Sequence, residues 1–391
     1  MTSLSFATTS FSGPTGAVPA DYYGMHENGV TSNPWPAVSF GTFRMWDEGT
    51  RWSQIETSSN YYNWSKADKV VNLALSNGKD IIYTFGGTPT WASSQPTQPC
   101  VYGYGSCAAP KYMSDLSTFA KALATRYKGK IKYYELWNEP NELQFYTGTM
   151  SSMVAMSQAI HDAIKSVDPN AIILSPCATY SSQGSASTWM ASYLSTGGGP
   201  YFDIASYHAY AGSNPPEFIV NSVQGFRNTL TNAGYGSRKI FITEGGWGEN
   251  KYLTSTDLQA NFVARYTVLA WAKGVSKFAW YSYDNSSWGS FWNSTSGLRP
   301  AAYAYIQVNK WITGAVITGC AQDSNLTWSC SLTRPNGYTA QILWNPSTSR
   351  GFNVPTSMVR QWTLGGTLST ISGGYATVGP KPILVENMAG F

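Results

Sequence analysis

Charge is scarce in this chain of 391 residues, whose 25 Lys+Arg and 21 Asp+Glu make 12% charged residues, against roughly 25% in an average soluble domain. The net charge of +4 is small for the length, and no Lys/Arg run gathers it into a stripe. That excludes a binder that tracks nucleic-acid phosphates. The three histidines, His26, His161 and His208, and five cysteines with no CxxC spacing supply no metal-ligand set, so neither a metal nor another cofactor is expected. No window approaches the ~20 apolar residues of a membrane span. The start, Met1-Thr2-Ser3-Leu4, has no charged region followed by an apolar one, so no signal peptide is expected in it. No GxGxxG or P-loop follows the first apolar run, which removes the simplest nucleotide-binding signatures.

What is abundant is apolar and aromatic. Hydrophobic residues make up 42% of the chain, and 16 Trp, 26 Tyr and 16 Phe raise the aromatic share to 15%. That is ample material for a core and excludes disorder. A neutral surface kept soluble by amides and hydroxyls suits uncharged, polyhydroxylated partners. Cys100 and Cys107 bracket a Gly/Tyr-rich loop, and Cys320 and Cys330 bracket a hairpin-like segment. Both spacings suit local disulfides, which belong to oxidising compartments. Cys177, in an apolar run, reads as a buried free thiol. The sequons at Asn63, Asn285, Asn293 and Asn325 point the same way, to a secreted, glycosylated chain.

Eight apolar runs begin near Tyr23, Gly41, Asp80, Ile131, Ala171, Phe202, Lys239 and Lys277. Their spacing is that of a βα unit. Amphipathic stretches fit between them: Ser65–Leu75 ends near Gly78, Ser114–Arg126 is similar, Thr256 opens a helix toward Lys273, and Pro300 sits in the first turn of another. This predicts an α/β fold, a (β/α)8 TIM barrel over residues 20–309. After about Trp311 the runs shorten and alternate between Pro-Asn-Gly, Asn-Pro-Ser and Gly-Gly turns. They predict an antiparallel β-sandwich over 310–391, to which an N-terminal strand within 1–19 is expected to add.

Active sites of such barrels lie at the C-terminal strand ends. The fourth run ends Trp137-Asn138-Glu139-Pro140-Asn141 and the seventh ends Thr243-Glu244-Gly245. Two carboxyls facing each other across the barrel mouth are what glycosidic-bond cleavage requires, one to protonate the leaving oxygen and one to attack or activate water. The Asn-Glu-Pro motif paired with a second Glu ending the seventh strand resembles clan A retaining glycoside hydrolases. The textures FRMWD and WNEPN look most like family 39. The resemblance implies that Glu139 is the acid/base, Glu244 the nucleophile, and that Asn138 donates to the sugar 2-hydroxyl. It further implies that Arg44 holds Glu244 ionised, that His208 and Tyr210 touch the two acids, and that Trp280 floors the sugar subsite.

Other residues near strand ends are candidates on position alone. His26 is read as lining the pocket. Trp288 and Trp292 are read as stacking on sugar, Trp91 as shaping a subsite that binds it, and the Cys100–Cys107 loop as shaping the mouth. Trp46, Trp247 and Tyr281 are further aromatics at strand ends. Glu27, Asp47 and Glu142 are read as ordinary hydrogen-bonding or surface acids. The expected partner is an oligo- or polysaccharide with β-linkages, handled by a monomer. A transglycosylase with the same glutamates, or a catalytically silent carbohydrate-binding barrel, are the alternatives.

Overall fold

The computed structural model describes residues 9–180, 184–248, 253–285 and 288–391. The first part of the expected N-terminal strand, and the hydroxyl residue of the Asn285 sequon, lie outside them. Eight parallel strands, β1 (Tyr23–Met25), β2 (Thr42–Met45), β3 (Asp80–Thr84), β4 (Tyr133–Glu135), β5 (Ile172–Leu174), β6 (Ala205–Tyr210), β7 (Ile240–Gly246) and β8 (Val275–Trp280), stand in one sheet. Each pairs with its neighbour in sequence, and β8 pairs with β1. Parallel bridges Leu174↔Ile204 and Ala178↔Tyr207 join β5 to β6 and close the ring. Buried on both faces, these strands read as near-continuous apolar runs, which is why they were legible in the sequence.

Seven helices follow β2 to β8 among the described residues: α1 (Ser65–Ser76), α2 (Met113–Tyr127), α3 (Met150–Val167), α4 (Ala186–Ser195), α5 (Phe218–Asn232), α6 (Thr256–Ala272) and α7 (Pro300–Ile312). The α6 helix starts at Ser255, whose side chain accepts from the Leu258 N–H, and nearly its whole length is buried. Gly78 and Gly274, at φ +67° and +87°, end α1 and α6 in the left-handed conformation that glycine adopts without strain.

The ring departs from eight full βα units at its first crossover. Residues 26–41 carry no helix. Asn28-Gly29, Asn33-Pro34 and Trp35-Pro36 break any helical run there. Asp284 does the pinning instead, accepting from the N–H groups of Asn28 (2.9 Å) and Gly29 (2.8 Å) and from Asn33 Nδ2 (2.8 Å).

The rest of the chain forms a second, antiparallel layer of seven strands. Its edge strand Ser10–Ser12 pairs with Val316–Gln322. Cys320 lies opposite Cys330 in the next pair, and the two are joined, as are Cys100 and Cys107. Cys177 is free and buried. The sheet is anchored to the barrel by Trp344, which stacks on Trp328 (5.7 Å) and donates to Glu217 Oε1 (2.8 Å). Glu217 is also paired with Arg265 of α6 at 2.6 Å. Among the described residues no helix is long and apolar enough to cross a membrane.

Candidate active site

The C-terminal ends of β4, β6 and β7 converge on one polar cluster. Glu139 sits just past the end of β4 with φ +39°, a left-handed conformation that costs a non-glycine residue about 1–3 kcal/mol and is concentrated at functional sites. It is held by its own N–H on the Cys177 carbonyl (3.0 Å) and by that of Asn138 on Phe85 (3.2 Å). Glu244 is set at a break in register: Ile242 pairs with Tyr207, but Glu244 pairs with His208, so one residue is extra. Such a bulge re-aims a side chain.

Arg44 on β2 is fully buried and ties the site together. Its guanidinium donates to Glu244 Oε1 (2.5 Å), Glu135 Oε2 (2.7 Å) and Asn138 Oδ1 (2.9 Å). The Tyr210 hydroxyl donates to the other Glu244 oxygen at 2.7 Å. His208 Nδ1 lies 2.8 Å from Glu139 Oε1 and 3.4 Å from Glu244 Oε2. The ligand atoms of Glu139, His208 and Glu244 all fall within 4.8 Å of one another.

The two glutamates differ electrically. Burial, with a smaller push from Glu142, raises Glu139 to about 8. Burial also raises Glu244, opposed by the Arg44 guanidinium and the Tyr210 hydrogen bond. Glu139 is therefore the carboxyl that keeps its proton at neutral pH. Burial lowers His208 to about 4, so its ring is neutral there. Burial alone would push Glu135 up, but the Arg44 guanidinium holds it below the usual carboxylate range.

A cleft of about 230 Å³ opens over the pair. Trp46, Asp47 and Tyr102 line it from β2 and the disulfide-closed loop, and Asn138, Gln144 and Phe145 from the β4 loop. Tyr210, Tyr281 and Trp288 complete it. Trp288 meets Tyr210 edge-on at 5.0 Å. Tyr102 stacks on Phe145 (5.7 Å) with the Arg51 guanidinium 3.7 Å over its ring.

Four of the expected residues are not among those lining the cleft. Trp280 is fully buried behind the cleft, its indole N–H on the Gly289 carbonyl (2.8 Å) and its ring on Phe291 (4.9 Å). Successive strand residues point to opposite faces, so the neighbour, Tyr281, takes the wall. His26 is buried beneath Tyr281, 5.0 Å ring to ring, with Nε2 bonded to the Thr243 carbonyl (2.8 Å). Trp91 turns to the Trp52–Ile55 helical turn and its sequel, donating to the Glu56 carbonyl (3.0 Å) and meeting Trp52 edge-on. Trp292 lies flat on Tyr283 at 5.9 Å, in a hairpin away from the lining. Of the three acids read as ordinary, Asp47 lines the cleft, and Glu27 is fully buried with neither carboxyl oxygen partnered. Glu135, Tyr102, Gln144 and Phe145 were not singled out by the sequence. For Glu135 the available signal was a charged residue closing an otherwise apolar strand.

An eight-stranded barrel whose mouth pairs a glutamate after β4 with one on β7 defines a clan A retaining glycoside hydrolase. Residues 40–286 match the family model of the cellulases (glycosyl hydrolase family 5), and the chain belongs to that family. Over 108 residues it is 31% identical to endo-1,4-beta-xylanase 3 of Hypocrea jecorina, a match that spans 28% of each chain. Solved structures share the fold. A family 39 glycoside hydrolase from Bacteroides cellulosilyticus WH2 superposes with TM-score 0.67 at 17% identity, over 94% of this chain and 81% of that one. A monomeric beta-xylosidase from Caulobacter crescentus CB15 gives 0.67 at 14%, over 96% and 97%. A GH30 endoxylanase from Clostridium papyrosolvens C71 gives 0.64 at 15%, over 97% and 98%. The likeness to family 39 is thus one of fold, while the matching family model is that of family 5.

Proposed function

We propose that this protein hydrolyses a neutral β-linked oligo- or polysaccharide with retention of anomeric configuration. One observation carries the reading: two glutamates lie within 4.8 Å through their nearest oxygens, yet one is bonded to a guanidinium and a phenol while burial raises the other. That spacing belongs to the retaining geometry, with carboxyls about 5–5.5 Å apart, and leaves no room for the intervening water of an inverting enzyme.

Glu244 attacks the anomeric carbon while Glu139 gives its proton to the departing glycosidic oxygen. The covalent glycosyl-enzyme is then opened by water, whose proton returns to Glu139. Arg44 and Tyr210 fix the Glu244 carboxylate for attack, and Asn138, braced by Arg44, addresses the sugar 2-hydroxyl. Trp46, Tyr102 and Trp288 offer ring faces to the sugar. No Lys, Arg or His lines the cleft among the described residues, which favours a neutral sugar. The xylanases and the xylosidase among the related proteins, with the cellulase family model, make β-xylans and β-glucans the first substrates to screen. The two disulfides support secretion, and Asn63 and Asn325 are exposed sequons. The fold shared with a monomeric beta-xylosidase favours a monomer.

Glu139→Gln and Glu244→Gln test the reading. E244Q should lose ~10⁴-fold or more in kcat on every substrate. E139Q should lose about 10²–10⁴-fold where the leaving group needs a proton, and far less on a dinitrophenyl glycoside, which does not. Full activity in both variants would overturn the assignment of these two glutamates, and a wild type that cleaves no glycoside would leave only a carbohydrate-binding barrel. NMR of the first-formed product should show the β anomer, and an added acceptor sugar separates hydrolysis from transglycosylation.

A further inference from the structure

The proposed reaction uses two carboxyls, but the cleft holds a third. Asp47 follows β2 and lines the same cavity as Glu139 and Glu244. Its Oδ2 accepts from the Tyr281 hydroxyl at 2.7 Å, and that hydroxyl in turn takes a hydrogen bond from Asn28 Nδ2 (3.3 Å). Tyr281 is wedged edge-on between His26 (5.0 Å) and Tyr210 (6.3 Å). Asp47 is therefore held by a phenol that is itself packed between two rings. No hydrogen bond from the described residues reaches its second oxygen.

Among the described residues no cation is hydrogen-bonded to this group, and Arg51 and Arg44 act on it only through space. Arg44 spends its donors on Glu135, Glu244 and Asn138, and the Arg51 guanidinium lies over Tyr102 with Nη1 toward the Trp46 carbonyl (3.3 Å). A half-buried carboxylate with one oxygen committed and one facing a cleft is a strong acceptor, and a sugar ring offers hydroxyl donors in every direction. Such O–H···O⁻ bonds are short and about twice as strong as neutral ones.

We propose that Asp47 is a specificity-determining residue: it accepts a ring hydroxyl, other than the 2-hydroxyl, of the sugar seated between Glu139 and Glu244, and Tyr281 is its positioning residue. This rests on the glycosidase reading above. It selects a neutral sugar that keeps that hydroxyl free, because a substituent or a deoxy position there leaves the buried carboxylate unpaired.

The test uses the full chain and 4-nitrophenyl β-D-glucoside, β-D-xyloside and β-D-galactoside, with 3- and 4-monodeoxy forms of whichever is cleaved. Asp47→Ala should lower kcat/KM on the parent about 10–100-fold. Wild type should lose a similar factor on one deoxy analogue, and D47A should add almost nothing to that loss. This non-additivity is the readout a merely structural role does not give. Tyr281→Phe should cost less, about 3–10-fold, and keep the discrimination. Asp47→Asn, of equal volume, replaces D47A should the latter melt early. Losses that multiply for every analogue overturn the assignment to Asp47 and leave the reaction standing. A wild type that cleaves no glycoside overturns both.

Discussion

Glu139 and Glu244 are the same amino acid made into an acid and a base by their neighbours. Glu139 is raised to about 8 by burial, so the proton it must donate is lost above that pH. The kcat/KM profile should accordingly fall on its alkaline side near pH 8. E139Q should lack that limb, and a limb unchanged in E139Q would assign the proton elsewhere. Glu27 makes the complementary case for stability. It is fully buried, neither oxygen has a partner, and burial followed by the nearby Asp284 raises it from 4.5 to about 8. A carboxyl raised on folding binds its proton more tightly in the native state. Its favourable contribution is complete below pH 4.5 and is lost as pH rises through 8. Glu27→Gln should match the wild type at pH 4 and melt roughly 3 °C or more above it at pH 8.5. Differential scanning calorimetry at the two pH values decides it. Equal shifts at both would mean that Glu27 is ionised in the fold.

Among the elements, the Cys100–Cys107 loop has the clearest functional consequence. It carries Tyr102 to the cleft wall, where Arg51 and Phe145 hold the ring. Closing so short a loop restrains the unfolded chain by about 2–3 kcal/mol in the chain-entropy picture. The double variant Cys100→Ser/Cys107→Ser should therefore lose stability of that order and raise KM more than it lowers kcat, since Tyr102 lines the cleft and is not one of the two carboxyls. A selective fall in kcat would contradict this. The strands and most helices were legible because an apolar run or a 3.6-residue period is local information: Ser65–Leu75 was expected and Ser65–Ser76 formed. The glutamate pair was legible because each member lies near or just past the C-terminal end of an apolar run. Glu135 was not, since its meaning depends on Arg44, 91 residues away. Nor was the exchange of Trp280 for Tyr281 at the wall, because adjacent aromatics differ only in the strand face they take.

At the scale of the whole molecule, part of the antiparallel layer joins the core of the barrel, while Leu343, Val354, Ala376, Val378 and Val385 form a smaller core of its own. Ile317, Trp328, Leu332 and Trp344 of the second layer belong to the same buried cluster as the barrel residues Phe262, Leu269 and Tyr305. Phe11 of the edge strand meets Trp328 edge-on at 6.4 Å, and Lys273 at the end of α6 lies 4.6 Å over the Phe11 ring. The polar tie is Glu217, which takes Trp344 Nε1 on one oxygen and Arg265 on both. Cutting the chain before Ala315 would uncover this apolar face and leave α6, whose exposure is low on nearly all sides, partly in water. The two layers should unfold together, in a single calorimetric transition, and the truncated barrel should aggregate or melt far below the intact chain. Glu217→Ala tests the joint without removing a layer. It strands the Arg265 guanidinium, 6% exposed, and should cost about 3–5 kcal/mol while still giving one transition. Two separated transitions in the wild type, or a truncated barrel with the melting temperature of the whole, would show that the second layer is an independent appendage.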